Sequence, residues 1–173
     1  MNTSLSHTDS MIASPSATSA LQRVAAIFPI SAHWFDYLQS LLALGLRLYV
    51  SQVFLKSGWL KFSDWQQTLG LFESEYHVPL LPPHAAAVVG TFGELFFPVL
   101  LVLGLGGRLA PLGLFAVNAM AVISYSNVLF AEGFEAALGQ HVLWGLILTV
   151  LVVYGQGAIS LDRFWSRRLR MTW

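Results

Sequence analysis

"GTFGELFFPVLLVLGLGGRL", residues 90–109, decides the fold class. A helix needs about 20 predominantly apolar residues to cross a bilayer, and this stretch supplies them. Yet Glu94 lies inside it, Pro98 interrupts it and Arg108 closes it. An ionisable group within a membrane normally faces the bundle interior and has a partner. The stretch therefore predicts several helices packed around a polar interior.

The rest of the chain agrees. Its 173 residues are 55% hydrophobic and only 10% charged, whereas soluble domains are about 25% charged. The length fits one domain. There is no cysteine, which excludes disulfides, thiol redox chemistry and thiolate metal sites within the chain. The net charge of zero leaves no basic footprint for nucleic acid.

Four apolar segments read as spans: Leu38–Leu60, His84–Gly104, Leu109–Phe130 and Leu138–Tyr154. No alternating barrel pattern is present, so a helical bundle is the spanning solution. Lys and Arg near the membrane mark the cytoplasmic side. Arg23, Arg108, Arg163, Arg167, Arg168 and Arg170 flank one end of the spans, and Asp64, Glu73, Glu75, Glu132 and Glu135 flank the other. Lys61 is the exception. The expected fold is an all-α integral membrane four-helix bundle with both termini cytoplasmic.

Three segments are expected. Residues 1–34 read as an N-terminal tail, disordered up to about Ala20 and interfacial beyond it; a signal-like basic start is missing. Residues 35–160 form the four-span domain. Residues 161–173 form a basic amphipathic tail on the cytoplasmic surface, with Leu161, Phe164, Trp165 and Leu169 opposite Arg163, Arg167 and Arg170. Between the first two spans, Phe62, Trp65, Leu69, Phe72 and Tyr76 make a helical stripe. "SDWQ" before it resembles a capping box with Ser63 as N-cap. A short outer interfacial helix follows from this pattern.

Depth suggests partners for the polar groups. Arg47 lies roughly nine residues, about 14 Å, into span one counted from Leu38. Glu94 lies roughly ten residues, about 15 Å, from Gly104, and Asn118 about 14 Å from Leu109. These three side chains are expected in one layer, with an Arg47–Glu94 ion pair and Asn118 beside it. The pair either fixes helix register or handles a ligand. Pro98 offers no N–H to the Glu94 carbonyl, leaving an extra acceptor nearby. Lys56 is expected to snorkel to the outer surface. Lys61 shares the face of Arg47, Ser51 and Gly58 and is the stronger secondary site residue.

His77, His84 and His141 lie near the outer end without metal-ligand spacing, so no metal is expected. His141 could donate to a quinone carbonyl, with Trp144 and Tyr125 lining the slot. The chain carries no cofactor motif of its own.

Arg47 followed by "FLKSGWLKF", then "VGTFGELFFPVLLVLGLGGRLAPL" and the closing "GAISLDRFW", resembles the DoxX family. The resemblance runs from about Leu41 to Phe164. It implies a four-helix bacterial inner-membrane protein, with Arg47, Lys61, Glu94, Arg108 and Asp162 on the family's recurrent polar positions. The family takes its name from a subunit associated with thiosulfate:quinone oxidoreductase and terminal quinol oxidase. A redox-partner role is thus implied by association only. Three readings follow: an accessory subunit of a quinone-linked redox system with quinone or lipid in the bundle; a small-solute or ion transport or permeability protein; and a membrane scaffold or assembly factor without catalysis. The expected partners are the bilayer and redox-enzyme subunits. The sequence leaves the oligomeric state and any enzymatic activity open.

Overall fold

A computed structural model describes the backbone of residues 16–170, and the side chains of residues 34–170 apart from 167, 169 and 170. The described chain is helical without strands. The helices are α1 (Ser16–Ser63), α2 (Trp65–Ser74), α3 (Pro83–Leu103), α4 (Leu109–Ser124), α5 (Ser126–Leu129), α6 (Glu135–Tyr154) and α7 (Leu161–Arg170). Residues 1–36 and residues 37–173 form two units.

In the first unit, residues 1–15 lie outside the described residues, so the expected disorder there stands apart from the structure. From Ser16 the backbone is helical, which corrects the disordered reading of residues 16–20. Ser16–Ala20 contains no glycine or proline, and alanine is the strongest helix former.

Trp34–Ser63, most of which belongs to the second unit, and Pro83–Leu103 and Glu135–Tyr154 within it are each long and apolar enough to cross a membrane. Leu109–Ser124 is an apolar but shorter helix. Its continuation breaks at Tyr125 and resumes as α5. Four helices contribute to one core: Val50 and Phe54 from α1, Leu101 from α3, Ala110 and Leu114 from α4, Leu148 and Leu151 from α6. Many other large apolar side chains face outward, among them Leu42, Phe92, Phe96, Ile123, Leu146 and Val153. That outward apolar surface suits lipid as solvent. Lipid tails are as apolar as leucine, so helix association rests on close packing and polar contacts instead of water exclusion.

Small residues set those approaches. A Cβ at Gly93 would sit 2.7 Å from the Val117 side chain, and one at Gly113 would run into the Phe97 ring. Phe97 of α3 thus takes the space that the absent side chain of Gly113 leaves on α4. α3 runs on through the buried Pro98 without a break in the helix.

The short helix α2 forms where its stripe predicts. Its N-cap is Asp64, whose Oδ1 accepts the Gln67 N–H at 3.0 Å. Ser63 is not the cap; it ends α1 and donates its hydroxyl to the Trp59 carbonyl. α1 extends farther than expected, so the serine hydroxyl is drawn to the carbonyl four residues back. α2 packs Phe72 against Ala86 and Ala87 of α3, with Trp65, Leu69 and Tyr76 beside them. The buried Thr68 donates to the Lys61 carbonyl. This fixes α2 over the end of α1.

Candidate functional site

The face of α1 carrying Arg47, Ser51, Phe54, Gly58 and Lys61 advances by alternating steps of four and three, one side of a helix. Two glycines give its register against α3. A Cβ on Gly58 would lie 3.0 Å from the Glu94 Cβ, and a Cβ on Gly104 would lie 3.3 Å from a guanidinium nitrogen of Arg47. Arg47 is therefore level with Gly104, and Gly58 with Glu94. Eleven residues separate the first pair of levels along α1 and ten along α3, about 15 Å of helix. Arg47 cannot reach Glu94.

Lys61, one turn beyond Gly58, takes the place expected for Arg47. Its Nζ donates to Glu94 Oε1 at 2.5 Å, to Oε2 at 2.6 Å and to Ser57 Oγ at 3.1 Å. An ammonium has three N–H groups, and all three are used. The carboxylate is nearly enclosed, with 8% of its side chain exposed, and the lysine keeps 19%. In such a setting either charge left alone would carry a full desolvation cost.

Arg47 is itself 1% exposed, and it serves the opposite end of the bundle. One terminal nitrogen donates to the carbonyls of Gln156 (2.6 Å) and Ile159 (2.8 Å), and the other to Val102 (3.4 Å). Val102 lies in the last turn of α3, and Gln156 and Ile159 follow α6. Helix C-terminal ends carry partial negative charge, which favours a cation there. Gln156 extends the knot by donating to the carbonyls of Leu105 (3.4 Å) and Gly107 (2.5 Å). Asp162 Oδ2 accepts the Gly107 N–H at 2.7 Å, and the Asp162 N–H reaches the Gly104 carbonyl at 3.2 Å. Gln156 has no charge to mark it in the sequence. Its signal was the flanking pair Gly155 and Gly157, both at positive φ, which turns the chain so that this amide points inward.

Asn118 belongs to neither group. Its amide donates to the His141 carbonyl at 3.0 Å, and its Oδ1 faces His141 Nδ1 at 2.9 Å. An amide whose nitrogen is committed to a carbonyl presents its oxygen to the ring, so Nδ1 carries the proton. His141 therefore has its N–H engaged, and its free Nε2 is an acceptor in the neutral ring. In this tautomer His141 offers the cavity an acceptor in place of the expected donor. The single polar layer of Arg47, Glu94 and Asn118 is thus three separate groups.

Lys61 and Glu94 border a cavity of about 440 Å³, with Ser57 and His141 also on its wall. Phe72, Phe97, Val117 and Met120 supply an apolar lining, and Ser124, Tyr125 and Tyr76 the polar remainder. The Tyr76 and Tyr125 rings meet edge-on at 5.0 Å, and Tyr125 donates to Glu75 Oε2 at 3.2 Å. The His77 N–H binds the Ser124 carbonyl at 2.8 Å, tying the chain after α2 to the end of α4. Burial holds the Tyr76 phenol above its ordinary pKa, reinforced by Tyr125, Glu94 and Glu75. It stays a neutral hydroxyl.

The remaining expected residues lie elsewhere. Trp144 does not line this cavity. It packs edge-on against Phe54 and His141 in the core, because the α6 face carrying it turns toward α1. Arg108 is exposed and donates to the Val153 carbonyl near the end of α6 at 3.3 Å. Lys56 is exposed. His77 lies beside Asn127, His84 against the Trp65 ring and His141 on Asn118. Among the described residues no group of three potential ligands converges on a metal position.

No curated protein and no solved structure matches the chain. Residues 42–127 match the DoxX family. That range holds Arg47, Gly58, Lys61, Glu94 and Arg108, and so covers the α1–α3 register and the buried ion pair. By this match the chain is a membrane protein of the DoxX family.

Proposed function

We propose that this protein is an accessory subunit of a quinone-linked redox system in the bacterial inner membrane, and that its cavity holds the quinone ring or a lipid of similar polarity. The carrying observation is the Lys61–Glu94 pair on the wall of an otherwise apolar cavity of about 440 Å³. Ligand sites are typically apolar clefts with a few placed polar groups. A quinone ring matches the lining, and its oxygens match Ser57, Tyr76 and the acceptor Nε2 of His141. That nitrogen suits the hydroxyl of the reduced quinol, whereas the hydroxyls suit the oxidised carbonyls.

In this reading α1, α3, α4 with α5, and α6 all cross the bilayer, and both termini and the α3–α4 turn face the cytoplasm. Arg108 and the arginines of α7 support that orientation. Lys61 ceases to be an exception, because its charge is neutralised inside the bundle by Glu94. Residues 35–160 form the membrane domain, and α7 lies along the inner surface.

Purification from native membranes in mild detergent tests this reading, with mass spectrometry of bound quinones and co-purifying proteins. Reproducible recovery of a quinone with subunits of a redox enzyme is expected. Recovery of neither would overturn it.

A further inference from the structure

A second concavity lies at the opposite end of the bundle, away from the Lys61–Glu94 cavity. It encloses about 500 Å³ between α1, the end of α3 and the start of α7. Arg47 and Arg163 line it, with Leu44, Leu103, Ile159 and Phe164 among its apolar walls. No carboxylate lines it. Asp162, next in sequence to Arg163, is turned to the Gly107 N–H instead.

Arg47 at its floor is incompletely satisfied. Its two terminal nitrogens reach carbonyls, but its buried Nε–H has no acceptor. Among the described residues no carboxylate stands within ion-pair distance of it. A buried cation compensated only by carbonyl dipoles favours an anion beside it. Arg163 is exposed at the same groove. Guanidinium groups bind phosphate oxygens through paired N–H donors. The neighbouring surface of α7 exposes Leu161, Phe164 and Trp165, and Arg168 lies over the Phe164 ring at 5.4 Å. Apolar and basic residues so mixed on a short helix suit the headgroup level of a membrane.

We propose that this groove is a binding site for one anionic phospholipid. The phosphate sits over Arg47 and is held by Arg163, and an acyl chain follows the wall of Leu44, Leu103 and Phe164. A free phosphate would satisfy the cations but leave the apolar wall uncovered. The site differs from diffuse attraction of α7 to a charged surface, because it assigns one arginine of that helix and not another.

The test uses the full chain in detergent micelles, titrated with phosphatidylglycerol, phosphatidylcholine or inorganic phosphate while thermal unfolding is followed. Phosphatidylglycerol is expected to raise the unfolding temperature saturably, and the other two are not. Arg163→Gln should weaken the apparent phosphatidylglycerol affinity about tenfold, the loss of one charge-assisted contact. Arg168→Gln, an equal charge change on the same helix, should weaken it less than about twofold. Equal losses in the two variants would overturn the proposal in favour of diffuse attraction. Equal stabilisation by phosphatidylcholine, or by inorganic phosphate, would overturn it as well.

Discussion

Gly58 lies directly opposite Glu94, so close that a Cβ on the glycine would stand 3.0 Å from that of the glutamate. This contact sets the register of α1 on α3. One turn farther along, Lys61 then reaches both carboxylate oxygens.

Gly58→Leu should push the two helices apart at this point. The close contacts with Glu94 and Leu95 leave no room for a side chain. Overpacking of this kind costs about 1–3 kcal/mol. Thermal unfolding in detergent should show the loss, and an unchanged midpoint would place the helices farther apart than described.

Lys61→Met and Glu94→Leu should each be strongly destabilising, by about 3–5 kcal/mol, because each leaves the other charge buried alone. The double variant should lose much less than the sum. Arg47→Leu with Glu94→Leu should instead be additive, since about 15 Å of helix separates their levels. Strong coupling in that second cycle would restore the pairing that depth counting from Leu38 suggests.

Arg47→Met should loosen the end where α3 and α6 finish. It strands the carbonyls of Val102, Gln156 and Ile159, and unsatisfied buried groups cost about 1–3 kcal/mol each. Limited proteolysis should then cut sooner between Gly155 and Leu161 than in the parent protein. Protection equal to the parent's would show that these carbonyls find other donors.

Asp64→Ala should cost about 1 kcal/mol as a lost N-cap, whereas Ser63→Ala should be nearly neutral. The two unfolding midpoints compared side by side decide which residue starts α2.

The sequence made the class of fold and the stripe of α2 legible because both depend on local periodicity. Arg47, Lys61 and Glu94 were visible as the residues that matter, for a charge in hydrocarbon stands out in any register. Their pairing was not legible. Depth counted from Leu38 assumes that the bundle starts there, but Ser40 already accepts the Ala158 N–H beyond α6, and Arg47 meets the helix ends rather than the midplane. Asn118 was drawn to the same layer by the same counting, whereas its partners are the main chain and the ring of His141. A main-chain acceptor leaves no trace in the identity of the residue supplying it. Gln156 was hidden for a related reason, since its two partners are also carbonyls.

Ala121 lines the cavity from α4 and is small enough that a larger side chain there would occupy the space itself. Comparison of quinone recovered with the purified parent protein and with Ala121→Trp, both by mass spectrometry, tests the central claim most directly. Bound quinone in the parent and its loss from an Ala121→Trp protein of equal thermal stability is the predicted result. Equal recovery from both, or none from the parent, would contradict it.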